Sequence, residues 1–456
     1  MRDPRCPVEP NRLQALLEQE RQRFLSAHPH CQALAQRSAA HFPWGVPLHW
    51  MRDWPSPTPL FVRQARGAEL TCVDGHTLVD FCLGDTAAMF GHAPAPLAAA
   101  LAAQAQRGLT TMLPDEHTAS VGEKLAECFG LPCWQLALSA SDANRFVLRW
   151  ARAITGRTQV LVFDGCYHGA VDDALVDLDP HSGATLRRPS VLGAVHNHAA
   201  LTRVVPFNDL PALQRALADG QVAALLAEPA LTNCGLVPPV PDFWRQAQAI
   251  CCAHGTLLIL DETHTLSTGL GGWARVHGLV PDFWVAGKAV AGGVPCAVYG
   301  FTAEIAQRMR AVKERSAEGH SGIGTTLTAN ALTLAALAAA LQHLHTPPTY
   351  AAMQVAADLL EQGLQQRLQA RRLPWTLTRL GARMELQFMP HTPRDAQDVR
   401  RHAQPALETA LHLFLLNRGV LLTPFHGMML CSPATTAAQV NQLLQAFDAW
   451  LAALLD

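Results

Sequence analysis

The chain has 456 residues, enough for two or three domains, and 35 basic against 37 acidic residues leave a formal net charge of −2. The basic residues are spread along it, which excludes the charge footprint of a nucleic-acid or anionic-membrane binder, and no stretch nears the roughly 18 apolar residues of a membrane span. Twelve cysteines, of which only Cys251-Cys252 and Cys128 with Cys133 lie close, have neither disulfide-scaffold density nor zinc spacing, and the 21 histidines form no H-x-x-x-H or H-E-x-x-H pattern, so no metal is expected. The opening Met1-Arg2-Asp3-Pro4-Arg5 is charged with no apolar core behind it, and the protein is expected to be soluble and cytoplasmic.

Residues 11 to 41 read as helix, with Leu13, Leu16, Leu17, Phe24 and Leu25 at helical spacing, followed by an irregular Pro- and Trp-rich arm from Phe42 to Pro59. Glu69 to Phe81 reads as a hairpin around Asp74-Gly75. Helical stretches then alternate with short apolar runs: Leu136 to Leu138, Val160 to Phe163, Val222 to Leu226, Leu257 to Leu260, Phe283 to Ala286 and Ala297 to Phe301. This alternation predicts an α/β fold whose mainly parallel sheet is buried on both faces by helices. A long Ala/Leu helix begins at Leu327. Beyond it come a further helix, a strand pair over Thr376 to Phe388, a helix around Pro405 to Leu416, a β-rich Gly419 to Cys431 segment and a last helix from Thr436, the pattern of a smaller α+β domain. The expected division is an N-terminal helix and arm over 1–59, a large domain over 60–334 and a small domain over 335–456.

Several runs end in polar or glycine residues, and in open α/β sheets ligands bind outside the carboxyl ends of the strands. Lys288 is one of three lysines beside 32 arginines, and it follows the apolar Trp284-Val285-Ala286-Gly287. Burial disfavours an ammonium and favours the free amine needed for Schiff-base chemistry with an aldehyde cofactor. The competing reading is a lysine whose stem packs while its head reaches water. Asp261 closes the Leu257 to Leu260 run, where its carboxylate could keep a pyridine nitrogen protonated or merely cap a helix. Tyr167, in Gly165-Cys166-Tyr167-His168-Gly169, could stack on a planar ring or pack. Ser139-Ala140-Ser141 ends one strand and opens a helix to about Ile154, which suits a phosphate or an ordinary cap. Gly322-Ile323-Gly324-Thr325-Thr326 is a weaker anion site.

Taken in order, strand-Ser-x-Ser, strand-Gly-x-Tyr-His-Gly, strand-Glu-Pro, strand-Asp-Glu, strand-Gly-Lys-x-x-x-Gly-Gly and Gly-Thr-Thr resemble the class III (subgroup II) pyridoxal-phosphate aminotransferases of fold type I, over roughly residues 60 to 340. Gly165 to Gly169 and Gly287-Lys288 with Gly292-Gly293 are similar to the branch of the glutamate-1-semialdehyde aminomutases and β-amino-acid aminotransferases. The resemblance implies pyridoxal 5'-phosphate held on Lys288, with Asp261 at the ring nitrogen and Tyr167 against the ring. It further implies Ser139, Ala140 and Ser141 around the phosphate, His168 and Thr325 among the cofactor-binding residues, and Thr326 reaching the phosphate of a neighbouring subunit, hence a homodimer with shared active sites. Glu228 matches the Glu-Pro strand end and receives no defined role.

Departures from the family pattern are informative. Ala140 stands where the family has glycine and requires an ordinary backbone conformation. Thr263 replaces a branched apolar residue and His264 follows it, so the other ring face is more polar than usual. The region His426 to Pro433 lacks the arginine with which many relatives grip a substrate carboxylate; the resemblance to the aminomutase-like branch implies a residue of the arm instead, His49 or Arg52 beside Trp50, with bidentate pairing favouring Arg52 unless it pairs with Asp53 or Asp85. The expected activity is ping-pong aminotransfer between an amino-acid or amine donor and a keto or aldehyde acceptor. An intramolecular aminomutase or a racemase on the same scaffold is the nearest alternative, and a silent cofactor-binding regulatory protein a remote one.

Overall fold

A computed structural model describes residues 8–193 and 197–456, so the opening Met1 to Arg5 lies outside the described residues. The described chain divides into two compact units. One holds the residues up to Pro94 together with Ala351–Thr392 and His402–Asp456; the other holds Ala95–Tyr350 and Pro393–Arg401.

The first unit opens with helices Pro10–Ala27 and Pro29–Ser38 where one helix was expected. His28, at φ −125° and ψ 53°, breaks the run because a residue before proline is driven out of the helical region and Pro29 offers no N–H. Leu13, Leu16 and Phe24 form the buried stripe. The arm is irregular apart from one 3-10 turn, His49–Arg52. Strands β1 (Val62–Arg66), β2 (Glu69–Cys72) and β3 (Thr77–Asp80) then make an antiparallel meander, so the expected hairpin is present and extended by one strand.

The second unit carries β4 (Cys133–Ala137), β5 (Gln159–Phe163), the small hairpin β6 (Val176–Leu178) and β7 (Thr185–Arg187), then β8 (Thr202–Val205), β9 (Val222–Ala227), β10 (Leu257–Asp261), β11 (Phe283–Ala286) and β12 (Ala297–Phe301). Seven of these form a sheet in the order β4-β12-β11-β10-β9-β5-β8. β12 is antiparallel to both neighbours and every other pairing is parallel. All residues of β9, β10 and β11 are buried, which explains their unbroken apolar sequences: helices cover both faces and leave no polar side to alternate with. β4 and β11 both oppose β12, so the carboxyl ends of β4, β5, β9, β10 and β11 share one edge of the sheet.

The chain returns to the first unit with β13 (Thr376–Leu380), β14 (Arg383–Gln387), β15 (Val420–Leu421) and β16 (Met428–Leu430). β13, β14 and β16 form an antiparallel sheet, and β15 adds in parallel to β3. Helix Pro405–Leu416 packs Leu413 and Leu416 with Phe24, Leu70, Leu78 and Leu421. The last helix, Ala437–Leu455, starts at Thr436 with a reciprocal Thr436–Gln439 capping box that satisfies two otherwise orphaned amides.

Candidate active site

Asp261 is the last residue of β10 and is buried among donors. Its Oδ2 accepts from Asn144 Nδ2 at 2.8 Å and from His168 Nδ1 at 3.0 Å. Its Oδ1 accepts from the Thr263 hydroxyl at 2.6 Å and the Thr263 amide at 3.1 Å. Burial works to raise this carboxyl, but the His168 bond and charge, followed by Thr263 and Asn144, carry it below the ordinary aspartate range. His168 is the mirror case: burial works to lower it, and Cys166 and Asp261 together hold it above the usual imidazole range. A buried charge pair therefore sits at the strand end.

On the adjoining β11, Gly287 leads into Lys288, whose φ of 47° is left-handed. A bulky side chain held there costs about 1–3 kcal/mol, a strain that typically marks functional positions. The surroundings fix it: Gly287 N donates to Thr263 Oγ1 at 3.2 Å and Gly293 N donates to Lys288 O at 3.2 Å. Lys288 Nζ and His264 Nε2 share a hydrogen bond of 2.7 Å. The Thr263 hydroxyl thus ties the Asp261 strand to the Lys288 turn. The next carboxylate, Glu262, accepts from Trp273 N at 2.8 Å and Ala274 N at 2.6 Å and locks the turn that carries His264; burial pushes it up to about 7.

The loop after β5 is pinned by Arg400, which grips Asp164 with both terminal nitrogens at 2.7 and 3.2 Å. Tyr167 N donates to Glu228 Oε1 at 3.3 Å, while the tyrosine side chain is 42% exposed and open to a planar partner. Glu228 also accepts from Thr232 Oγ1, and burial raises it to about 7 against the lowering effect of His168 and Thr232. Gly169, at φ 80°, cannot carry a side chain, because a Cβ would fall 2.0 Å from Ser141 Oγ. That close approach lets Ser141 Oγ accept from Ala170 N at 3.0 Å and joins this loop to the next.

Ser139 caps helix Ala140–Thr155 by accepting from Asp142 N at 3.2 Å. Ala140 begins the helix outside the left-handed region, so the ordinary conformation expected of it is met. The first-turn amides of a helix have no acceptor inside it, which suits an anion. A Cβ on Gly287 would lie 3.0 Å from Ala140 Cβ, so that glycine lets the lysine turn and the helix start approach each other. These groups fit pyridoxal phosphate: an ionised carboxylate for a protonated ring nitrogen, a lysine amine, an exposed tyrosine and a helix start for the phosphate. Four donors already fill the roughly four lone-pair directions of Asp261, so a bound ring N–H would have to take the place of one, and the Thr263 hydroxyl, a rotor, is the donor able to turn away.

The structure therefore brings Lys288, His264, Thr263, Asp261 and His168 into one bonded chain, with Tyr167, Glu228 and Ser139 to Ser141 attached through the loops. Asn144 was missed by sequence reasoning; its only signal is a polar residue among Ala143, Phe146 and Val147 on the buried face of its helix. Thr325 and Thr326 are exposed and line a different hollow of about 470 Å³ with Thr110, Met112, Trp134 and Asn330. His49, Trp50 and Arg52 are exposed on the arm in the other unit. Among the described residues Arg52 forms no ion pair, so the alternative pairing with Asp53 or Asp85 is not made.

Residues 51–451 match the family model of the class-III aminotransferases. The chain is 34% identical over 406 residues to the glutamate-1-semialdehyde 2,1-aminomutase of Myxococcus xanthus (strain DK1622), covering 87% of this chain and 91% of that protein. It superposes on a glutamate-1-semialdehyde aminomutase from Pseudomonas aeruginosa PAO1 with a TM-score of 0.96 at 45% identity, over 99% of this chain and 100% of the other; a variant of that enzyme has been solved in complex with PMP. An omega-transaminase from Sphaerobacter thermophilus gives a TM-score of 0.85 at 28% identity, over 93% and 98% of the two chains. The chain belongs to the class-III aminotransferases, enzymes of fold type I that use pyridoxal 5'-phosphate.

Proposed function

We propose that the enzyme moves an amino group from an amino-acid or amine donor to a keto or aldehyde acceptor in two half-reactions that use Lys288 in both. The observation that carries this reading is the Lys288 amine, bonded to His264, on the strand next to the one that ends in the buried Asp261. Bound pyridoxal phosphate supplies the electron sink that lets a substrate carbon lose a proton. Asp261, kept ionised by its donors, holds the proton of the ring nitrogen. Lys288 Nζ would take the proton from the donor carbon and deliver it to the cofactor carbon on the far side of the shared nitrogen, a transfer that a positioned base accelerates by about 10²–10⁴-fold. Tyr167 and Thr263 would bound the ring, and Ser139, Ala140 and Ser141 would orient its phosphate.

We also assign Arg52, with His49 and Trp50, to the substrate carboxylate, and Thr325 and Thr326 to a partner subunit's phosphate in a homodimer. Met112, Leu113 and Leu327, exposed apolar residues near the hollow that these threonines line, support that assignment. The balanced charge and the cysteine spacing support a cytoplasmic setting, and among the described residues no helix is long and apolar enough to cross a membrane.

A second reading, an intramolecular aminomutase, is favoured by the names of the relatives at 34% and 45% identity. One experiment addresses both. The cofactor-loaded protein is mixed with α-amino acids, β-amino acids and simple amines, with and without a keto acceptor, while the cofactor's visible band is followed. Loss of the band with donor alone, and its return with acceptor, is expected for a transferase; product formed without any acceptor identifies a mutase. Lys288→Ala should lower turnover by at least about 10²-fold, and a variant that turned over at the wild-type rate would overturn the assignment.

A further inference from the structure

We propose that His264 is the proton acceptor of Lys288, taking the ammonium proton onto Nε2 so that the lysine can capture the cofactor aldehyde. This rests on the aminotransferase reading and adds to it a residue that turns the resting lysine into a nucleophile. The geometry is direct, with Nζ and Nε2 2.7 Å apart. Only the free amine of a lysine carries the lone pair that attacks an aldehyde, so the ammonium proton has to leave before capture. An imidazole at hydrogen-bond distance gives that proton an acceptor inside the site, so its removal does not depend on an encounter with a base from solvent.

The contact is not a loose surface encounter, since both partners are held from behind. His264 is buried at the head of the short 3-10 turn Thr265–Thr268; its carbonyl accepts from Ser267 Oγ at 3.1 Å, and Glu262 anchors the turn through Trp273 N and Ala274 N. Lys288 is fixed in its left-handed conformation between Gly287 and Gly293. The nearby acid has other work: the bonds that Asp261 makes are to Asn144, His168 and Thr263. The step conserves charge. The Nζ–H bond breaks and leaves its electron pair on the lysine nitrogen, the proton forms a bond to Nε2, and the pair carries one positive charge before and after. Attack by the lysine lone pair then joins nitrogen to the aldehyde carbon and expels the oxygen as one water.

The test uses the full-length protein freed of cofactor. Pyridoxal 5'-phosphate is added at neutral pH, samples are quenched over time with borohydride, and the reduced adduct on Lys288 is quantified by mass spectrometry. His264→Ala is expected to slow capture tenfold or more while reaching the wild-type final stoichiometry, which also shows that the site is folded. His264→Gln, which can hydrogen-bond but cannot accept the proton, is expected to be as slow. If either variant captures at the wild-type rate, the proposal is overturned; for Gln, the contact would then be one of position alone. If the wild-type protein forms no adduct on Lys288, it is the aminotransferase reading that fails.

Discussion

At Asp261 four hydrogen bonds converge on one buried carboxylate, and the donor from Asn144 has the clearest energetic consequence. Removing a donor from an ionised, buried acceptor forfeits a charged hydrogen bond of about 1.5–3 kcal/mol. Asn144→Ala is therefore expected to destabilise the protein by about 2 kcal/mol, read as a lower urea midpoint with an unchanged denaturant slope. A midpoint equal to that of wild type would show that the amide contributes nothing there. The same arithmetic marks what could be read from the amino acids alone. Asp261 and Lys288 each follow an apolar run that becomes a strand, so their place at the sheet edge is legible. Asn144 lies 117 residues from Asp261 in a helix where asparagine looks like surface, and only the fold joins them. His264 was legible only as a polar residue shortly after Asp261, and its bond to Lys288 depends on how two adjacent strands end.

For helix Ala140–Thr155, one serine performs two tasks. Ser139 satisfies the Asp142 amide, and by setting the helix start it aims the remaining first-turn amides outward. Ser139→Ala should cost about 1 kcal/mol of stability, and it should weaken retention of pyridoxal phosphate more than that of phosphate-free pyridoxal. Equal loss of both ligands on dialysis would remove the phosphate role and leave only the cap. The strands of this unit were recognisable because burial on both faces writes an unbroken apolar run. β8 escaped notice for the complementary reason: Thr202-Arg203-Val204-Val205 is the edge of its sheet, where Arg203 can leave the core and pair with Asp219, so its sequence shows no such run. The break at His28 is likewise a local proline effect overriding a periodic apolar stripe.

Across the whole molecule, buried ionisable groups pull the stability profile in opposite directions, and none of this shows in a net charge of −2. Burial lowers His345 and His412 from 6.5 to about 4. Each is neutral when folded and binds a proton when unfolded between those values, so its contribution is complete above pH 6.5 and is lost as pH falls toward 4. Glu228 and Glu262 are raised by burial from 4.5 to about 7. They keep a proton when folded that the unfolded chain has released, so their contribution is complete below pH 4.5 and is lost as pH rises through 7. A displacement of this size corresponds to about 3 kcal/mol per group. The two pairs therefore offset each other across the mildly acidic range, and single substitutions should uncover the hidden slopes. Glu262→Gln, which imitates the protonated side chain, should gain about 3 kcal/mol relative to wild type between pH 4.5 and 7. His412→Leu, which removes the buried imidazole, should instead gain relative to wild type as pH falls from 6.5 to 4. Urea unfolding at pH 5 and pH 7 measures both, and wild-type and variant curves that stayed parallel across that interval would refute the opposition, because a group that does not change its proton uptake on unfolding cannot tilt the profile.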